Sequence, residues 1–287
     1  MTTTTNMTTN MTITQEQLDA FRAALENEEK SAATLDKYGR DARYFAQWLG
    51  SQPLTHQAAL QYKNDLLTRF AASSVNSILA ALNSFFRFIG REDCRVRQVR
   101  VQYQTYCPED RELSVQEYAA LVRTARQQGR VRIALLLQTI CATGIRVSEL
   151  SAITVEAARK GVAVVRCKGK LRRVLLPSRL QSKLLRYARR RRIAYGPVFV
   201  TRTGQPLDRS NIWREMKSLC RGAGVESGKV FPHNLRHLFA RSFYRLERDL
   251  AKLADLLGHS SINTTRIYVR TTSAEHRKYL EQMQLVL

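Results

Sequence analysis

Over residues 15–89 the apolar side chains recur at spacings of three and four and never alternate, a period that limits this stretch to helices. Leu35, Tyr38, Ala42, Phe45 and Leu49 form one such series behind Thr34, and a second runs over residues 59–70. A third, over residues 74–89, aligns Val75, Ile78, Leu79, Leu82, Phe85 and Phe86 on a single stripe. Residues 15–94 are therefore expected to form a small all-helical domain. Residues 1–14, MTTTTNMTTNMTIT, lack the basic and apolar segments of a signal peptide and read as a disordered tail.

The character changes after residue 91. Arg95, Arg97 and Arg100 lie in a stretch without a helical stripe that ends at Cys107-Pro108-Glu109, and residues 95–111 read as an extended basic linker. Ser114 followed by Glu117 makes a capping box, so a second domain is expected to start near Glu112 and run over 112–287. It mixes types. Helices are expected over 117–126, 133–142, 147–153, 209–223, 235–246, 250–257 and 262–268, with a C-terminal one over 273–287. Strands are expected over 162–167 and 173–176, joined by the basic hairpin tip Lys168-Gly169-Lys170, with a third over 197–200. Trp48 and Trp213 are expected in the cores.

A formal net charge of +23 is costly through self-repulsion unless a polyanion relieves it, which points to nucleic acid. A membrane partner is disfavoured because the longest apolar run, 133–141, is interrupted by Gln138 and far too short to span. The five cysteines are scattered, odd in number and without a C-x-x-C pair, which fits a reducing cytoplasm and no metal site.

The chemistry concentrates late in the chain. Three of the five histidines fall in His233-Asn234-Leu235-Arg236-His237 and Leu256-Leu257-Gly258-His259, followed by Tyr268. Upstream, an arginine sits on an apolar helix in Ala142-Thr143-Gly144-Ile145-Arg146-Val147-Ser148-Glu149-Leu150. Cutting a phosphodiester without metal needs a nucleophile, cations on the non-bridging oxygens and a proton for the leaving oxygen. Guanidinium forks suit the second task, imidazole proton transfer near neutrality, and a phenol can form a covalent phosphotyrosine.

With these three boxes in this order, the sequence resembles the tyrosine recombinase (phage integrase) family, across the whole second domain and more loosely over the first. The resemblance implies a mainly α two-domain DNA clamp with a small antiparallel sheet: a helical SAM-like core-binding domain and an α/β catalytic domain. It implies site-specific recombination of duplex DNA through a 3′-phosphotyrosyl linkage and a Holliday junction, in the bacterial or phage-borne cytoplasm, with no metal, ATP or other cofactor. Carried over, Arg146 and Arg236 clamp the scissile phosphate, His233 assists proton transfer, His259 supports it, and Tyr268 attacks. Glu149 orients the first arginine or braces its helix. Lys168 is the hairpin general acid in preference to Lys170. The family reads Gly-Lys-Gly-x-Lys-x-Arg there, and this chain has Cys167-Lys168-Gly169-Lys170-Leu171-Arg172, one residue shorter.

Candidate DNA-binding residues are Arg95, Arg97, Arg100, Lys170 and Arg172, although the three linker arginines fit a merely solvated segment equally well. Arg186 and Arg189–Arg192 fit a solvated helix face or a phosphate track. The family works as a homotetramer on DNA in which a C-terminal segment docks on a neighbour. The apolar stripe of 273–287 suits that role or packing on its own domain. No arm-type domain is expected before Gln15, and no inserted helix of the integron type between His237 and His259. Rival readings are a type IB topoisomerase, a silent architectural DNA-binding protein, and a metal-dependent transposase, the last disfavoured by the absence of clustered carboxylates.

Overall fold

The computed structural model describes residues 12–100, 112–167, 170–201, 203–259, 261–269, 277 and 281–283, with only the backbone of Cys167, Lys170 and Val269. The chain divides into two compact units between residues 103 and 104.

Among the described residues, four helices build the first unit: α1 (Gln15–Asn27), α2 (Ala32–Leu49), α3 (His56–Arg69) and α4 (Ala72–Phe88). The hydroxyls of Thr14, Ser31 and Thr55 cap the first three, accepting bonds from backbone N–H groups that a helix start leaves free. The apolar stripes meet in an aromatic core. Phe45 lies edge-on to Tyr62 at 5.1 Å and to Phe86 at 5.4 Å, and Phe21 edge-on to Phe85 at 5.2 Å. Trp48 packs partly buried against this core.

The expected linker begins too early. After a 3-10 turn at Glu92–Cys94, the chain through residue 100 lies on the first unit, with Cys94 and Val96 buried in its core. Two asparagines of α4, seven residues apart, act as artificial strand partners. The Asn83 amide donates to Val96 O at 2.9 Å and accepts from Val96 N at 3.0 Å; Asn76 does the same to Val99 at 2.9 and 2.7 Å. Apolar periodicity carries no trace of these polar bonds.

In the second unit, α5 (Val115–Gln127) opens on the expected capping box, Ser114 with Glu117. Then come α6 (Val131–Thr143), a 3-10 segment Val147–Ala152, α7 (Val155–Lys160), β1 (Val162–Cys167) and β2 (Lys170–Leu175). The rest is α8 (Ser178–Arg190), α9 (Arg209–Lys217), α10 (Cys220–Ala223), α11 (Pro232–Glu247), α12 (Leu250–Leu257), α13 (Ile262–Arg266) and a 3-10 turn Ile267–Val269. The middle of α6 is apolar all round and buried, and it packs against α5, α8 and α11.

The strands pair antiparallel, Val162 with Leu175 through Cys167 with Lys170, so β2 starts three residues before the expected strand because Lys170 belongs to the ladder. Residues 197–200 make no ladder, only the isolated bridges Thr154 to Pro197 and Val200 to Pro206. The helix expected over 209–223 breaks between α9 and α10. Helix α8 takes in Arg186, Arg189 and Arg190, for which a helix face was one of two readings, and Leu180, Leu184, Tyr187 and Ala188 mark its buried side. Trp213 is half exposed rather than core, with Lys217 Nζ 5.2 Å from its ring. The expected helix over 273–287 falls outside the described residues except 277 and 281–283. Among the described residues no helix is long and apolar enough to cross a membrane.

Phe45→Ala removes the ring on which Tyr62, Trp48 and Phe86 converge. It should cost the first unit about 3–5 kcal/mol, read as a lower urea midpoint of the full chain.

Candidate active site

Helix α6 ends at Thr143, and Gly144 turns the chain with φ 62°. A Cβ there would lie 2.5 Å from Phe239 Cδ1 and 3.0 Å from Leu257 Cδ2, so both conformation and space demand glycine. Arg146 follows in extended conformation as the cap of the next 3-10 segment. It is therefore off the apolar helix on which the sequence pattern put it. The buried Glu149 carboxylate holds it: Oε2 accepts from Arg146 N at 3.0 Å and Oε1 from Nη1 at 2.9 Å. The Arg146 side chain keeps 30% exposure.

Pro232 at the start of α11 presets the first turn, and His233, Arg236 and His237 then share one face at spacings of three and four. Arg236 is 1% exposed. Its Nη1 donates to Gly144 O, and Nη2 donates to Leu257 O at 2.7 Å and approaches His259 Nε2 at 3.0 Å. Its Nε–H is buried without an acceptor among the described residues. A guanidinium only donates, so His259 Nε2 must be the accepting nitrogen. Nδ1 then carries the proton and donates to Thr265 Oγ1 at 2.8 Å. Thr265 is fully buried, and it fixes the tautomer and orientation of His259.

Tyr268 sits on the 3-10 turn after α13 and is 6% exposed. Its Oη is 3.1 Å from His233 Nε2. The ring centroid lies 4.3 Å from that of His237 and 5.2 Å from that of His259, and 6.0 Å from Arg236 Cζ. Burial, then Arg236, Arg146 and Arg209, push His233 below its usual range. Burial, then the same two arginines and Arg172, push His259 down to about 4. Burial, then His233 and Arg236, take His237 to about 4. All three imidazoles are therefore neutral at pH 7. Arg236, drawn down to about 10 mainly by burial and Arg146, stays cationic.

Of the expected site residues, Arg146, His233, Arg236, His259 and Tyr268 thus come together. Lys168 lies outside the described residues, and Lys170 is described only by its backbone on β2. Arg172, expected to touch DNA, turns inward instead, with 10% side-chain exposure. Its Nη2 pairs with Glu149 Oε2 at 2.7 Å and Nη1 donates to Leu256 O. On β2 it lies on the same face as the buried Val174, a placement hidden from a strand expected to begin only at 173. Arg95, Arg97 and Arg100 are exposed on the first unit, Arg95 paired with Glu92 at 3.0 Å. Residues missed from sequence are Thr265, the carbonyls of Gly144 and Leu257, and Arg209, whose charge acts on His233. Only Thr265 carried a signal, as a hydroxyl within the last box.

A neutral imidazole against a buried phenol, ringed by arginines, defines a site for tyrosine-mediated phosphoryl transfer. The phage integrase family profile matches residues 111–275, and that of the phage integrase N-terminal SAM-like domain matches residues 18–93. Tyrosine recombinase XerA of Pyrococcus furiosus is 30% identical over 283 residues, covering 96% of each chain. Tyrosine recombinase XerD of Proteus mirabilis is 32% identical over 274 residues, 88% of this chain and 87% of that one. In fold, the chain resembles XerH site-specific recombinase solved on palindromic difH substrate, with TM-score 0.72 and 18% identity over 95% of this chain and 90% of that one. The chain belongs to the phage integrase family and is a tyrosine-type site-specific DNA recombinase.

Because the folded pKa of His237 (about 4) lies below its ordinary 6.5, the unfolded chain binds this proton more readily. The stability it contributes is complete above pH 6.5 and is lost as pH falls toward 4. The Tm should drop across that window, and His237→Gln should flatten the drop in scanning calorimetry.

Proposed function

We propose that Tyr268 Oη attacks the scissile phosphorus of a duplex DNA site, giving a 3′-phosphotyrosyl linkage and a free 5′-hydroxyl. The Tyr268 proton passes to His233 Nε2 as the P–O5′ bond breaks and the leaving oxygen takes a proton from a general acid, assigned to Lys168. A second 5′-hydroxyl then reverses the chemistry, and the bond energy held in the phosphotyrosine makes ATP unnecessary. The single observation supporting this is the 3.1 Å approach of Tyr268 Oη to a His233 that is neutral at pH 7 and so free to accept.

Arg146 and Arg236 carry the phosphate charge. Arg236 has its guanidinium fixed by two carbonyls and His259, so little reorganisation remains when charge develops on the phosphoryl oxygens. Its Nε–H, without an acceptor among the described residues, is a donor suited to such an oxygen. Arg146 is a second, partly exposed donor set. His259 supports Arg236 by accepting a hydrogen bond from Nη2.

Relatives in this fold are seen as a tetramer on a Holliday junction, in the λ integrase structure, and on their DNA substrate, in XerH. We extend that to this chain: a homotetramer on duplex sites that exchanges strands through a Holliday junction, with accessory proteins able to set direction. The reaction integrates, excises or resolves a mobile element. Residues 275–287 dock on a neighbouring protomer in that assembly, and Arg95, Arg97, Arg100 and Lys170 contact the DNA.

A nicked suicide duplex that traps the covalent intermediate tests the chemistry. Tyr268→Phe should abolish the protein–DNA adduct while binding stays within about twofold, because one oxygen is lost from a site whose cations remain. An adduct surviving in Tyr268→Phe would remove this residue from the role. Deleting 275–287 should spare binding and cleavage of one site yet impair recombination between two, and unchanged recombination would refute the docking role.

A further inference from the structure

Glu149 offers two carboxylate oxygens, and the simplest partner for Arg146 would take both. Arginine and carboxylate prefer the two-bond fork, because both groups are planar and their spacings match. Here the fork does not form. Arg146 reaches Oε1 through Nη1 alone, while Oε2 is taken by the Arg146 backbone N–H and by Arg172 Nη2 at 2.7 Å. Arg172 arrives from β2, a different element, and its other arm is anchored on Leu256 O at the end of α12.

Space has been left for this reach. Gly258 closes α12 with φ 64°, and a Cβ there would lie 2.6 Å from Arg172 Cδ and 3.0 Å from Arg172 Nε. The arginine stem crosses the glycine to the Leu256 carbonyl, one residue before the Leu257 carbonyl that holds Arg236 and three before His259. The Glu149 and Arg172 side chains are 4% and 10% exposed, so the pair is shielded from competing water.

We propose that Arg172 is a positioning residue: by occupying Glu149 Oε2 it denies Arg146 the two-bond fork, so that Arg146 keeps Nε–H and Nη2 for the scissile phosphate. The inference rests on the assignment of Arg146 to that phosphate. Arg172 itself touches no substrate. Its carboxylate partner steadies Arg146 through one side-chain bond, yet a carboxylate left to Arg146 alone would draw the whole guanidinium onto itself and away from DNA. Arg172 keeps that attraction at one bond.

Suppression distinguishes this from a merely structural role. Single-turnover cleavage of the suicide duplex is measured for wild type, Arg172→Met, Glu149→Gln and the double variant, each normalised to DNA-binding-competent protein. Arg172→Met should cleave roughly ten- to hundredfold more slowly, as a displaced clamp does, with binding little changed. Gln at 149 has no charge with which to capture Arg146, so the double variant should recover at least about tenfold of that loss. Arg172→Lys, which keeps a cation on Oε2, should cleave within about fivefold of wild type and serves if Arg172→Met does not fold. A double variant as slow as Arg172→Met or slower, or an Arg172→Lys as slow as Arg172→Met, would overturn the proposal. No adduct even in wild type would instead sink the recombinase chemistry on which it rests.

Discussion

The second unit is organised around one buried cation. Arg236 has 1% of its surface exposed, and a charge so placed is tolerated only if fixed dipoles replace its water. The Gly144 and Leu257 carbonyls do so, with His259 Nε2. These acceptors come from the end of α6, the end of α12 and the turn beyond it. Each is a helix C-terminus or its continuation, where carbonyls are free and the dipole is negative. The same bonds that make the charge tolerable bring together Arg146, just past Gly144, and His259, just past Leu257. Folding the site and solvating its arginine are one event.

The positive crowd this creates then sets the state of the imidazoles. Arg236 and Arg146 disfavour protonation of His233 and His259, adding to the effect of burial. A site built to hold a phosphodiester monoanion and its dianionic transition state thus keeps its bases neutral at physiological pH. The Glu149 carboxylate that braces Arg146 is engaged on both oxygens by Arg146 and Arg172, and it remains ionised because their bonds outweigh its burial.

Much of this was legible in the chain. Arg236 and His237 stood on an expected helix, whose start at Pro232 rather than 235 brings His233 onto the same face, and the strand Val162–Cys167 emerged with its true bounds from its β-branched run. The Ser114 to Glu117 box marked a real helix start. What escaped has a common cause. The Asn83 and Asn76 amides pairing with residues 96 and 99, the inward turn of Arg172, and the acceptors of Arg236 are all polar bonds between segments distant in sequence. Periodicity reports which face is apolar and says nothing of which carbonyl a buried arginine will find.

The sequence by itself determined the helical first unit, the hairpin, the residue types of the active site and, through the order of three boxes, the family. Those follow from local period and from chemistry that few residue types can perform. Only the tertiary structure decided that the Tyr268 hydroxyl bonds to His233 rather than to His259, that His259 is held as one tautomer by Thr265, and that Arg172 serves the site from within instead of meeting DNA. The reason is geometric. Each of these rests on a hydrogen bond a few ångströms long between side chains on different elements, and only packing determines which of several eligible partners is within reach.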